Sequence, residues 1–316
     1  MNQPEFINGL ARLGARHRGC VATIGSFDGV HRGHQAVLRQ VIDKAKEQNL
    51  PSLVMVFEPQ PHEYFSREAA PARLMRLREK VAALFAEGID RVLCLKFNHA
   101  LRSLSAVDFI EDVLIDGIGV KHLIIGDDFR FGCDRAGDFA LLKTKGVELG
   151  FSVTDTRTQL ETGERISSTR IRQLLEEDNL TAAADLLGRP FSVCGKVVHG
   201  NKLGRTIGFP TLNIALGRYR SPIHGVYAVK VEIAGQPFTG AANVGVKPTV
   251  TGQKKPILEV FVFDFSRDIY GQYVKVIFEK KIRNEMKFAS VTVLKEQIAH
   301  DVSEIKHYFR SISSHV

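Results

Sequence analysis

The chain has 316 residues and a mass of 35.1 kDa, with 44% apolar and 25% charged side chains; this is enough material for two domain cores and excludes disorder as the dominant state. The net charge of +8 is uneven, because residues 185–316 carry 19 basic against 10 acidic side chains while residues 1–184 carry 24 against 25. The asymmetry points to two units with different partners, and a basic half suits nucleic acid, a membrane surface or a phosphorylated small molecule alike.

Along the chain, the opening residues lack the apolar segment of a signal peptide, and no apolar run reaches the roughly eighteen residues of a membrane span. A soluble, cytoplasmic protein with no membrane partner is expected. Short β-branched runs follow at 21–25, 52–57, 91–97 and 122–126, separated by stretches long enough for crossover helices. Segments 34–49, 76–88 and 106–119 between them carry apolar residues three and four apart, and the last two close with glycine. Residues 1–184 therefore read as a doubly wound, Rossmann-like α/β domain. A helical stretch over 168–188 ends this half.

From Gly188-Arg189-Pro190 the rhythm changes to alternating strands at 191–198, 225–245, 258–265 and 273–282, with Ala-Gly-Gln-Pro (234–237) as a hairpin turn. A small antiparallel β-barrel over 185–316 is expected, since closure removes exposed edges, with an amphipathic helix at 291–312 covering it. The four cysteines (Cys20, Cys94, Cys133 and Cys194) form no CxxC pair and have no zinc-type histidine spacing, which suits idle thiols in a reducing compartment.

Two stretches carry chemistry. In TIGSFDGVHRGHQAVL (23–38) a buried strand runs through Gly25 and Gly29 into a helix whose start holds His31, Gly33 and His34. Glycine lets backbone approach a ligand, free N–H groups at a helix start attract phosphate, and two imidazoles three residues apart can donate to oxygens that gain charge as a phosphoanhydride breaks. It is neither a dinucleotide fingerprint nor a P-loop. In HGNKLGRTIGFPTLNI (199–214), Gly200, Gly204 and Gly208 alternate with Lys202 and Arg205, a pattern fit to cover polyphosphate. Thr211 and Asn213 on the extended segment after Pro210 can aim oxygens at one Mg²⁺ ion. On the residues alone, Gly-Phe-Pro-Thr serves equally as a turn into a strand.

The His31-Arg32-Gly33-His34 element, with ISSTRIR (166–172), resembles the signature pair of the nucleotidylyltransferase superfamily, and GSFDGVHRGH resembles its flavin adenylyltransferase branch. The resemblance implies that Gly25, Phe27, Asp28, His31, Gly33 and His34 meet ATP, with Ser168, Thr169 and Arg172 on the same triphosphate. A helix cap by Ser168 or Thr169 is compatible with that role. FEPQPHEYF (57–65) and GDDFRFG (126–132) also fit the branch, which places Phe57, Pro59, Asp127, Asp128 and Phe129 at the flavin and nucleotide pocket. Phe129 and Phe131 suit stacking and core packing equally.

GRTIGFPTLN (204–213) resembles the riboflavin kinase signature, and the segments at 222–231, 243–249, 258–265, 268–276 and 282–288 occur in that family's order. The family's catalytic carboxylate falls on Glu259, an acid alone in an apolar strand, as general base on the ribityl 5′-hydroxyl. Arg283, Lys287 and Phe288 fall beside the flavin. Many relatives have Glu-Thr-His where this chain has Glu259-Val260-Phe261. The whole is similar to bacterial bifunctional riboflavin kinase/FAD synthetases, which implies an adenylyltransferase domain at 1–184 and a kinase domain at 185–316. The implied small-molecule partners are riboflavin, FMN, FAD, ATP, ADP and pyrophosphate, with Mg²⁺ as the ion.

Two rivals differ in class. One is a nucleotidylyltransferase for another phosphate-bearing substrate with the β domain a passenger, against which the kinase-like signature and Glu259 speak. The other is a nucleic-acid-binding protein; the basic residues of 185–316 are scattered and no aromatic RNA-binding motif occurs, so no nucleic acid partner is expected. Homo-oligomerisation is left open by the residues.

Overall fold

The computed structural model describes residues 3–66, 69–156, 160–161, 164–200, 203–217, 220–248 and 254–313. Lys202 lies outside the described residues. Six short strands, β1 (Glu5–Asn8), β2 (Cys20–Ile24), β3 (Ser52–Glu58), β4 (Arg91–Lys96), β5 (Val120–Ile125) and β6 (Ser152–Asp155), form a parallel sheet in the order β1-β4-β3-β2-β5-β6. The central strands are apolar end to end because helices cover both faces; every residue of β2 is buried. Those helices are α1 (Arg32–Glu47), α2 (Pro61–Phe65), α3 (Leu77–Ala86), α4 (His99–Arg102), α5 (Ala106–Asp108) and α6 (Phe139–Leu149). α5 continues as π-helical turns over Phe109–Gly117. A small ribbon of β7 (Leu160–Glu161) and β8 (Glu164–Arg165) follows.

The expected doubly wound α/β architecture is present. From β2 the chain builds outward through β3 and β4, then returns to the other side of β2 with β5 and β6. Strand order therefore reverses between β2 and β5, and the loops leaving their carboxyl ends flank the crevice where such sheets bind ligands. The edge strands β1 and β6 were not expected. Each is four residues long and mostly solvent-facing, so neither carries the continuous apolar run that marks a strand buried on both faces.

The second half begins with α7 (Ser168–Glu176) and α8 (Leu180–Leu187). The anticipated single helical stretch is broken because Asp178 takes φ +62 and the Asn179 side chain accepts from the Ala182 amide, starting a new helix. β9 (Ser192–Val198), α9 (Leu203–Thr206), β10 (Leu212–Ala215), β11 (Gly225–Ile233), β12 (Gln236–Pro248), β13 (Lys254–Val262), β14 (Tyr273–Arg283) and α10 (Val291–Ser313) complete the chain. The six strands close as an antiparallel barrel in the order β10-β13-β12-β11-β14-β9.

Two compact units result, Met1–Pro71 with Leu77–Ser167, and Ala72–Arg76 with Ser168–Val316. α7 and α8 fold with the barrel: Ile171, Leu174, Leu175, Leu180 and Leu187 share one core with Val197, Ile214, Val229, Val260 and Val276. Leu74 joins that core at 1% exposure, the Arg172 Nε donates to the Ala72 carbonyl at 2.6 Å, and an Arg76 Nη1 donates to the Ala215 carbonyl. The turn after α7 is tied to the barrel by Asp178, which receives the fully buried Tyr227 hydroxyl at 3.1 Å and the Lys281 ammonium at 2.6 Å. α10 packs Ile305 and Phe309 against Ala228 and Phe263. Among the described residues no helix is long and apolar enough to cross a membrane.

Candidate active sites

The first site grows from the carboxyl end of β2. The chain turns sharply there because Phe27, Gly29 and Val30 take positive φ values of 45, 92 and 39, and only the glycine does so without strain. Phe27, Asp28, Val30 and His31 are buried by that turn. His31 is the residue that opens α1: its Nδ1 accepts from the His34 amide at 3.3 Å. The same geometry stacks the two imidazoles with ring centroids 3.6 Å apart and an 18° tilt, and Phe27 leans on His34 at 5.0 Å. A Cβ at Gly33 would press on the His31 ring and the Ile166 carbonyl, each at 3.2 Å, so any larger residue there must push one of them aside by a few tenths of an ångström.

The histidines are not both available as cations. Burial, followed by the charges of His31 and of Lys80, holds the His34 imidazole well below its ordinary range. Lys80, on α3, is itself 1% exposed. His34 is thus neutral near pH 7, and its Nδ1 is buried without a hydrogen-bond partner among the described residues. A buried nitrogen left unmatched costs about 1–3 kcal/mol, which a bound ligand would recover. Gly25 stands at the strand end and Gly33 in the first turn of α1, so a phosphate placed here meets N–H groups and the positive end of the helix dipole.

Phe57 and Pro59 stand at and just beyond the end of β3, and Phe57 meets Phe97 edge-on at 5.9 Å. Beside them Gln60 is buried, its amide donating to Glu63 Oε2 at 3.1 Å while its own Nε2 lacks a partner among the described residues. After β5, Asp127 and Asp128 are exposed on a turn closed by the Phe129 amide to the Gly126 carbonyl at 3.1 Å. Phe129 is half-buried and stacks on Phe131, which is 7% exposed and packs on Phe109 in the sheet's core. Phe131 is therefore a packing residue, and Phe129 presents the more open ring. Ser168 and Thr169 begin α7, the one half-buried and the other exposed.

The second site is built by strand register. Asn213, Glu259, Asn243, Val226 and Arg283 are successive neighbours across β10, β13, β12, β11 and β14, one row running over five strands. All five line a cavity of about 390 Å³. Alternation along β13 turns Leu258 and Val260 into the barrel core and Glu259 and Phe261 to the cavity. Gly204, Ile207, Phe209 and Thr211 contribute from the glycine segment, and Met286, Phe288, Leu294, Ile298, Asp301 and Val302 from the C-terminal side. Lys287 is exposed and does not line it. Gly208 takes φ +90, Arg205 lies in α9, and Pro210 is exposed just before Thr211.

Two glycines fix where the loop lies. A Cβ on Gly200 would overlap the Asn213 amide, and one on Gly204 would overlap the Phe209 carbonyl and sit 3.4 Å from the Thr211 hydroxyl. Backbone at Gly200 thus lies close against the Asn213 side chain, and backbone at Gly204 close against the Phe209 carbonyl. Thr211 and Asn213 offer two uncharged, hard oxygens, a donor set that fits Mg²⁺, which takes few protein ligands and completes its shell with water and substrate phosphate.

Three cavity-lining residues were not anticipated. Asn243 faces Glu259 from β12, and only barrel register reveals it. Glu285 reaches into the cavity against Gly245. Asp301, 2% exposed, clamps Arg283 by contacts of 3.0, 3.0 and 2.8 Å and accepts from Gln297 at 2.8 Å. An acid at an inward position of an amphipathic helix was its only signal.

The sequence model of FAD synthetases matches residues 14–170, and that of riboflavin kinases matches residues 187–309. Three curated relatives are each 51% identical: from Pseudomonas fluorescens (95% of this chain, 96% of that protein), Escherichia coli strain K12 (96% and 98%) and Haemophilus influenzae (97% and 100%). Each is named a bifunctional riboflavin kinase/FMN adenylyltransferase. A crystal structure from Streptococcus pneumoniae, described as a macrolide-efflux protein, shares the fold at a TM-score of 0.77 and 34% identity over 95% of this chain and 98% of that one.

Proposed function

The chain belongs to the bifunctional riboflavin kinase/FMN adenylyltransferase family, and from that membership we propose how its residues divide the two reactions. It phosphorylates riboflavin to FMN with ATP and adenylylates FMN to FAD with release of pyrophosphate. Residues 185–316 carry the first reaction and residues 1–184 the second.

In the barrel cavity Glu259 takes the proton of the ribityl 5′-hydroxyl as that oxygen attacks the γ-phosphorus of ATP, and ADP leaves. Its neighbours Asn213 and Asn243 in the cross-strand row orient the carboxylate. Mg²⁺, held by Thr211 and Asn213, would neutralise charge between the phosphates. Gly200, Gly204, Arg205, Gly208 and Pro210 form the cover over the triphosphate, and the family resemblance assigns Lys202 to the same role. Arg283 and Phe288 flank the flavin from one wall, with Lys287 at its rim.

In the α/β unit an FMN phosphate oxygen attacks the α-phosphorus of a second ATP. His34, being neutral, acts as a hydrogen-bond donor and not as a cation; with His31 it steadies the departing pyrophosphate. Gly25, Phe27, Asp28 and Gly33 shape the ATP cradle. Ser168, Thr169 and Arg172 carry hydroxyls and a guanidinium suited to a triphosphate, and they stand on α7, which folds with the barrel. Phe57, Pro59, Asp127, Asp128 and Phe129 line the flavin side. No covalent enzyme intermediate is needed, since positioning and electrostatics suffice for both transfers.

We place the protein in the cytoplasm, where its four free cysteines stay reduced. The observation that carries the reading is the row Asn213–Glu259–Asn243 facing one cavity under a glycine segment. Incubation with riboflavin, ATP and Mg²⁺, with chromatographic separation over time, should show FMN rising first and FAD following. FAD formed from supplied FMN without any phosphorylation of riboflavin would remove the kinase half.

A further inference from the structure

Beyond Glu259 on the same face of β13 stands Phe261, and just past the end of the strand comes a second aromatic residue, Phe263. Their rings meet edge-on at 5.6 Å and 71°. Phe261 then meets Phe209 at 5.5 Å and 89°, so three rings form a column running from the glycine segment along β13. The far end of the column is anchored, because Phe263 packs on Ile305 and Phe309 of α10. Small neighbours make the room it needs: Ala241 is the register partner of Phe261 on β12, and Ala228 is the partner of Ala241 on β11.

Phe209 is the residue through which the column reaches the loop. Its amide donates to the Gly204 carbonyl at 2.8 Å, and its own carbonyl lies where any Cβ on Gly204 would fall. Backbone therefore joins Phe209 to the glycine segment, and two residues on stands Thr211. The ring of Phe209 has Phe261 as its aromatic support. A phenylalanine edge set perpendicular to a phenylalanine face is the favourable quadrupole arrangement, worth about 2- to 10-fold in an equilibrium beyond the area it buries.

We propose that Phe261 is a positioning residue of the phosphorylation reaction: through Phe209 it holds the glycine segment and Thr211 over the cavity, beside Glu259, and it contacts neither the transferred phosphoryl group nor the attacking hydroxyl. It acts by holding Phe209, Gly204 and Thr211 in the arrangement that faces the cavity, so its loss raises the KM for ATP more than it lowers kcat. The inference rests on the reading of the barrel cavity as the kinase site.

The test is steady-state kinetics on the full chain with each reaction assayed separately. Phe261→Leu is expected to raise the KM for ATP in phosphorylation by about 2- to 10-fold, with a smaller change in the KM for riboflavin and none in adenylylation of supplied FMN. Phe261→Tyr keeps the ring edge and should restore the wild-type value. Phe209→Leu should reproduce the effect of Phe261→Leu, and the double variant should be no worse than either single one. An unchanged KM for ATP, additive single effects, or a rise confined to the KM for riboflavin overturns the proposal. If Phe261→Leu fails to fold, Phe209→Leu, at a half-buried position, decides by the same readout. Glu259→Gln separates the two levels: retained phosphorylation in that variant defeats the site reading itself, whereas its loss alongside an indifferent Phe261→Leu defeats only the positioning role.

Discussion

Replacing Asp301 by alanine tests whether the C-terminal helix is part of the kinase site or only its cover. Asp301 accepts from the Arg283 Nε at 3.0 Å on both oxygens, from an Nη2 at 2.8 Å, and from Gln297 at 2.8 Å. The two side chains are 3% and 17% exposed. Breaking a buried pair by removing one partner costs about 3–5 kcal/mol, because the other charge is left desolvated. Arg283 keeps one edge toward solvent, so the lower end applies, about 3 kcal/mol. For a unit of this size that is a fall of roughly 10 °C in the melting of the barrel. Scanning calorimetry of the full chain resolves it, since two compact units need not melt together. Riboflavin binding should weaken as well, because Arg283 and Asp301 both line the cavity. The paired exchange Arg283→Met with Asp301→Leu should recover most of the melting temperature, as apolar replacement of a buried ion pair is often neutral, without recovering binding. A barrel transition within 2 °C of wild type in Asp301→Ala would refute the reasoning.

Acid should weaken the α/β unit through His34. Its folded-state imidazole is held below the ordinary value near 6.5, so the unfolded chain takes up the proton first and the stability present above that pH is lost as pH falls below it. Melting of His34→Gln should therefore depend less on pH between about 7 and 5 than wild type. His122, lowered by burial first and then by Lys44, keeps part of the slope in both. Equal slopes would contradict this. Gly204→Ala forces the Phe209 carbonyl aside and should lower phosphorylation about tenfold or more while leaving adenylylation of supplied FMN intact; unchanged phosphorylation would show that the glycine segment does not need this contact.

Much of the architecture is legible in the chain because burial writes itself into local pattern. The four central strands read as continuous apolar runs, and the glycine endings mark helix stops. What escaped is what depends on partners distant in sequence. β1 and β6 are strands by pairing, not by composition. The break at Asp178 depends on a left-handed residue secured by Tyr227 and Lys281, some fifty and a hundred positions away. At the sites, His31, His34, Thr211, Asn213 and Glu259 stand in motifs whose residue types already imply phosphate, cation and base chemistry. Asn243 becomes visible only once barrel register sets it beside Glu259, and Asp301 only once α10 returns it to Arg283. The orphaned nitrogen and lowered basicity of His34 likewise follow from burial, which no spacing rule expresses.

The central claim is that two independent sites in one chain act on one flavin in turn, and a crossed pair of variants tests it most directly. Product analysis of Glu259→Gln should show no FMN from riboflavin but normal FAD from supplied FMN, and His31→Ala with His34→Ala should show FMN accumulating with no FAD. Loss of both products in either variant, with melting curves unchanged from wild type, would contradict the account.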